Sequence, residues 1–280
     1  MTELRTLSEQ RCFDGWMGFY AHDSVETTTE MRFAVYQPPQ VDAGPVPALY
    51  YLAGLTCTEE TFMIKAGAQR FAAEQGLMLV ACDTSPRGLN LPGEADSWDF
   101  GIGAGFYLDA TSEPWSRYYR MGSYVVRELP ELIEAHFPVL SNRRGIFGHS
   151  MGGHGALVSA LRHPTLYHSV SAFAPIANPC AVPWGEKAFG NYLGPDRTAW
   201  AEYDASLLMR RRPLDIDILV DQGEADQFLA TQLRPDALSE AAAAAGQKLT
   251  LRRHLGYDHT YYFIQSFIAD HLSWHAQRLK

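Results

Sequence analysis

The sequence is sparing with cysteine, with cationic side chains and with long apolar runs. Its four cysteines, Cys12, Cys57, Cys82 and Cys180, stand far apart and form no C-x-x-C pair. That spacing excludes a disulfide framework and predicts reduced thiols in a reducing compartment. No stretch approaches the roughly 20 apolar residues that cross a bilayer. The polar segment Met1–Arg11 has no apolar leader core. These features predict a cytoplasmic protein without a membrane partner. Lys and Arg number 23 against 32 Asp and Glu, for a formal charge of −9. An acidic balance argues against a nucleic-acid partner, which would demand a basic face. With no internal repeat or low-complexity linker, residues 1–280 are read as a single domain.

What is present is a run of short apolar segments alternating with helical ones. Patchy alternation such as Met31–Tyr36, ended by Pro38 and Pro39, predicts antiparallel strands at a sheet edge. Six apolar runs follow, at Ala48–Leu52, Leu77–Cys82, Gly145–Gly148, Val170–Ala174, Asp215–Val220 and Leu249–Leu255. Helical stretches lie at Glu59–Gln75, Tyr118–His136, Gly152–His163, Thr231–Ala245 and Thr260–Leu279. Short buried strands alternating with helices predict a mostly parallel sheet covered on both faces. Ligands of such sheets bind beyond the carboxyl ends of the strands, so the loops after the runs are where chemistry is sought.

The third run leads into Gly148-His149-Ser150-Met151-Gly152, a G-x-S-x-G pattern between a strand and a helix. This is the nucleophile elbow of the α/β-hydrolase fold, in which a serine stands at the tip of a strained turn. The residues two before and two after it must lack side chains, because strand and helix close on each other there. Ser150 is therefore the candidate nucleophile.

The elbow predicts the chain order serine, acid, histidine. Of the later histidines, His154 shares the helix of the serine, and His163 and His168 flank a link at the far edge of the sheet. His254 lies within the last strand. His271 and His275 are one turn apart on the terminal helix, and the reading there is a solvated helix face rather than a metal pair. His259 falls between the last strand and the last helix, where a base is expected. Asp221, Glu224 and Asp226 all follow the fifth run. Asp221 is close enough to the strand end to serve packing, and position alone leaves Glu224 and Asp226 open. Asp258, next to His259 in sequence, is expected to point away. The oxyanion donors are assigned to the backbone N–H groups of Met151 and Leu55, with Gly54 allowing the chain to turn.

Blocks along the chain extend this pattern: Leu52–Glu59, Asp83–Gly88, Ser97–Gly101, Gly105–Thr111, Phe147–Ala156, Pro183–Phe189, Asp221–Leu229 and Gly256–Phe263. From about Cys12 to the end, the chain closely resembles the S-formylglutathione hydrolase, or esterase D, family. The family's aspartate falls on Asp226, and its serine and histidine fall on Ser150 and His259. Ala53 departs from the serine of many members, and Glu224 and Ala225 replace more strongly charged residues. The resemblance implies hydrolysis of S-formylglutathione to glutathione and formate, side activity on small carboxylesters, no cofactor or metal, and a cytoplasmic homodimer. The alternative is a general short-chain carboxylesterase.

A formyl group is small, so a shallow acyl pocket is expected, with Trp98, Phe106 and Trp184 as candidate walls. Glutathione is anionic, and Lys65 and Lys187 are the candidate local cations. Cys57, two residues past Leu55, is read either as a small buried residue or as a thiol whose modification blocks the site.

Overall fold

A computed structural model describes residues 3–280. The central element is one nine-stranded sheet in the order β1-β2-β3-β5-β4-β6-β7-β8-β9. Strands β1 (Arg5–Cys12), β2 (Gly15–Asp23) and β3 (Glu30–Gln37) form an antiparallel meander, and β3 pairs antiparallel with β5 (Met78–Cys82). From β5 onward the pairs are parallel, through β4 (Val46–Leu52), β6 (Val139–His149), β7 (Ser169–Phe173), β8 (Ile218–Gly223) and β9 (Leu249–His254). Together with the elbow described below, this is the α/β-hydrolase architecture. The parallel strands β4, β5 and β7 are buried along their length or nearly so, as their continuous apolar runs require.

The helices are α1 (Glu59–Lys65), α2 (Gln69–Gln75), α3 (Met121–Ser123), α4 (Leu129–His136), α5 (Met151–Arg162), α6 (Pro183–Tyr192), α7 (Arg197–Trp200), α8 (Ala205–Arg211), α9 (Pro235–Ala245) and α10 (Tyr261–Leu279). Among the described residues no helix is long and apolar enough to cross a membrane.

Several boundaries differ from the sequence pattern, β6 among them, which begins at Val139 rather than Gly145, and three of the differences have a clear local reason. The stretch Glu59–Gln75 is two helices, because Gly67 between them takes a left-handed φ of 63°. The stretch Thr231–Ala245 starts its α-helix at Pro235, after a wider turn over Leu229–Leu233 that ends in a left-handed Arg234. Proline has no N–H to give and stands well at a helix start. The fifth run is displaced: β8 spans Ile218–Gly223, so Asp221 lies inside the strand rather than beyond it. The pairing sets this register, since Ile218 faces Val170 of β7 and Leu249 of β9.

The terminal helix corrects one expectation outright. His271 and His275 are fully buried, not solvated. The Ser171 hydroxyl lies 2.8 Å from His271 Nδ1 and 2.8 Å from His275 Nε2, and His275 Nδ1 lies 2.6 Å from Ser169 Oγ. His271 Nε2 faces Asp221 at 3.4 Å, and its ring stacks on Phe173 with centroids 3.8 Å apart. The pair thus fastens α10 to β7 and β8. Asp221 also receives two hydrogen bonds of 2.6 Å from Arg252. Burial pushes the Asp221 carboxyl up, but His271 and Arg252 outweigh it and hold the pKa near about 2.

These buried rings make stability depend on pH. Burial lowers the pKa of His22, His149, His271 and His275, and lowers that of His154 to about 4. In the unfolded chain a histidine titrates near about 6.5. The unfolded chain therefore binds more protons than the fold below that pH. The stabilisation is complete above about pH 6.5 and is lost as the pH falls towards the folded values, at up to about 1.4 kcal/mol per pH unit for each ring. Urea denaturation should show the midpoint falling steadily between about pH 6.5 and 4.5. A midpoint that stays flat across this window would show that the rings are protonated in the fold.

Candidate active site

Strand β6 ends at His149 and α5 begins at Met151, so Ser150 alone makes the turn between them. Its φ of 57° and ψ of −120° lie outside the regions favoured by an L-residue, a strain of about 1–3 kcal/mol that the surroundings must hold in place. They do so through the Ser150 N–H, which donates to Phe173 O at 3.0 Å, and the Ser150 C=O, which accepts from His154 N at 3.0 Å. The flanking glycines are required by contact. A Cβ on Gly148 would stand 2.3 Å from Gly152 O, and one on Gly152 would stand 1.9 Å from Leu52 O.

The other parts come from the carboxyl ends of neighbouring strands. Strand β8 delivers the turn holding Asp226, and β9 delivers the loop holding His259. The Ala225 N–H donates to Tyr257 O at 2.9 Å and ties the two loops together. His259 Nδ1 lies 2.5 Å from Asp226 Oδ2. The other Asp226 oxygen accepts from the Phe228 N–H at 2.8 Å, and Gln222 Nε2 approaches Oδ2 at 3.4 Å. Asp226 is buried, whereas Glu224 is exposed. The choice that position left open is thus met by geometry, which brings Asp226 and not Glu224 to the imidazole. Asp258 points away: its carboxylate accepts from the Thr260 N–H and hydroxyl, fixing the start of α10. Neither His154, buried against Phe106 and Phe189, nor His254, facing Asp221 at 3.2 Å, reaches the serine's cavity.

Ser150 and His259 line one cavity of about 240 Å³, with Gly54, Leu55, Cys57, Thr61, Lys65, Trp98, His149, Trp184, Phe228 and Tyr261 around them. The side-chain hydrogen bond that fixes the His259 ring is the one to Asp226. Hydrogen bonds to a nucleophile commonly tighten only in the Michaelis complex. Leu55 lies on the loop after β4. The next two N–H groups of that loop are committed, Thr56 to Gly103 O at 2.9 Å and Cys57 to Gly54 O at 3.3 Å. Met151 opens α5, where the first N–H groups have no partner within the helix. The loop turns differently from expectation. Thr56, not Gly54, takes the left-handed conformation, with φ 68°. Gly54 instead lies close to the nucleophile, where a Cβ would stand a tight 3.2 Å from Ser150 Cβ.

The chain is similar to known proteins along nearly its whole length. The family model "Esterase" matches residues 24–274. The chain is 55% identical to the S-formylglutathione hydrolase of Mus musculus and 52% identical to that of Bos taurus, in each case over 99% of both chains. The chain belongs to the S-formylglutathione hydrolase family. The solved S-formylglutathione hydrolase of Agrobacterium tumefaciens superposes with a TM-score of 0.96 at 49% identity, covering 99% of this chain and 100% of that one. A Staphylococcus aureus serine hydrolase, at 17% identity and a TM-score of 0.73, shares the fold.

Within this member of the S-formylglutathione hydrolase family, four of the expected pocket residues reach the cavity. Trp184 is almost buried and packs on Phe228, with centroids 4.7 Å apart, while Trp98 stands edge-on to Trp184 at 5.5 Å and is half exposed. Cys57 also lines the cavity, and burial pushes its thiol up, keeping it protonated and weakly nucleophilic near neutral pH. Lys65 stands at the cavity edge. Phe106 does not reach it. Phe106 and Tyr107 both take positive φ, and that turn carries the Phe106 ring into the core against His154 and Phe189. Lys187 is spent on Asp99 at 2.6 Å and Ser97 at 2.7 Å. Sequence reasoning missed His149, whose ring lies 4.4 Å from that of His259, and Phe228, edge-on to His259 at 5.0 Å. His149 was in view as the residue before the serine. Burial and the neighbouring His259 lower its pKa well below the usual histidine value, so it packs there as a neutral ring.

Proposed function

We propose that this chain hydrolyses S-formylglutathione to glutathione and formate through a formyl-Ser150 intermediate. The observation that carries the reading is the cavity shared by a serine on a strained elbow and a histidine held by a buried carboxylate. Relatives named S-formylglutathione hydrolase along the full length supply the substrate. The Ser150 oxygen attacks the formyl carbon as His259 Nε2 takes its proton. The oxyanion faces the N–H groups of Leu55 and Met151. Collapse breaks the C–S bond, and His259 returns the proton to the departing sulfur. A thiol is a good leaving group, with a pKa of about 8.5. Water then attacks the formyl ester, again with His259 as base, and formate leaves. Asp226 holds the imidazole in one tautomer and stabilises the imidazolium. The same reading takes the 280 residues as a single domain acting in the cytoplasm as a homodimer.

A second reading, a short-chain carboxylesterase, is favoured by the size of the cavity. Its 240 Å³ exceeds the need of a formyl group, which takes the space of one water, about 30 Å³. The kcat/KM series over formyl, acetyl and butyryl thioesters and aryl esters separates the two. The proposal expects the formyl thioester of glutathione to lead by at least about tenfold, from acyl fit and thiol recognition together. A series led by butyryl esters would overturn it in favour of the esterase.

A further inference from the structure

Beside the cavity of Ser150 lies a second groove, of about 550 Å³, lined by Ile64, Lys65, Thr260, Tyr261, Tyr262 and Gln265. Lys65 and Tyr261 line both. The groove has the size of pockets that hold whole ligands, roughly 300–1,000 Å³, and the two helix ends that form it are locked together. Gln265 Nε2 of α10 donates to Lys65 O, the last residue of α1, at 2.7 Å.

Lys65 is the cation of this path. Its ammonium lies 5.9 Å from the centre of the Tyr261 ring. The other lysine near the site, Lys187, is neutralised by Asp99. Among the described residues no carboxylate lies within ion-pair distance of Lys65, which is exposed and lines the groove together with Ile64 and Tyr262, 68% and 79% exposed. No Asp or Glu lines either the cavity or the groove. In a chain of net charge −9, an acid-free path with one unpaired cation suits an anion.

We propose that this groove is the subsite for the peptide arm of the thiol, with Lys65 pairing one of its carboxylates and Ile64 and Tyr262 covering its methylene stem. The inference rests on the S-formylglutathione reading and adds to it the residue that selects a charged thiol over a neutral one. It assigns the choice of thiol to α1 and the start of α10, apart from the groups that cleave the bond.

The test is the ratio of kcat/KM for S-formylglutathione to that for the formyl thioester of an uncharged thiol such as N-acetylcysteamine. A ratio cancels any general loss of activity. Lys65→Ala should lower it about fivefold at low salt, carried by KM on the charged substrate, as expected for one partly exposed ion pair. Lys65→Glu should lower it about twentyfold, and Lys65→Arg should restore most of it. Raising the salt should shrink the wild-type ratio and leave that of Lys65→Ala nearly unchanged. A ratio that Lys65→Ala and Lys65→Glu leave at the wild-type value overturns the subsite. Wild-type enzyme that fails to cleave S-formylglutathione overturns the function, and the subsite with it.

Discussion

Ser150→Ala is expected to lower kcat by roughly five to six orders of magnitude while leaving the fold intact. The loss is large because the covalent route disappears entirely. Without the hydroxyl, His259 has no nucleophile to deprotonate in the first step, and only direct water attack remains. On the proposed mechanism, the residual rate would come from the N–H groups of Leu55 and Met151 acting on the oxyanion. The fold is expected to survive because what holds position 150 is backbone. The bonds from Ser150 N to Phe173 O and from His154 N to Ser150 O do not involve the side chain. Alanine bears the same φ of 57° at similar strain, so the melting temperature should move by no more than about 2 °C. Steady-state rates and a melting curve on the same preparation check both halves.

Asp226→Asn is the second large effect, with an expected loss of about 10⁴-fold in kcat. The carboxylate accepts from the Phe228 N–H and faces His259 Nδ1 at 2.5 Å. An amide in its place can present an N–H to the ring, which then accepts at Nδ1 and carries its proton on Nε2, the atom that should accept from the serine. It also removes the charge that stabilises the imidazolium. Glu224→Gln is the control, because that side chain is exposed and makes no contact with the ring. Its rate should stay within about twofold of wild type, as for other surface changes. Comparable damage from both substitutions would mean that the acid is misassigned.

Much of this site was legible in the sequence because its constraints are local. The glycines at 148 and 152 follow from a strand and a helix closing within five residues, and the chain order of acid and base follows from the order of the parallel strands. The choice between Glu224 and Asp226 was not local. It depends on how the turn after β8 meets the loop after β9, which the Ala225–Tyr257 bond fixes across the sheet. The fate of His271 and His275 was hidden for the same reason. A one-turn spacing suits either solvent or a buried face, and only the hydroxyls of Ser169 and Ser171, about a hundred residues away, make burial acceptable. Phe106 misled because aromatic side chains serve walls and cores alike, and a pair of positive φ angles settled which.

The most direct test of the central claim is to quench the enzyme during turnover of S-formylglutathione and locate the formyl group by peptide mass spectrometry. The account predicts a formyl ester on Ser150, absent from Ser150→Ala and accumulating in Asp226→Asn only if the second step is slowed more than the first. A formyl group on the Cys57 sulfur, or Ser150→Ala protein that turns over at the wild-type rate, would contradict it.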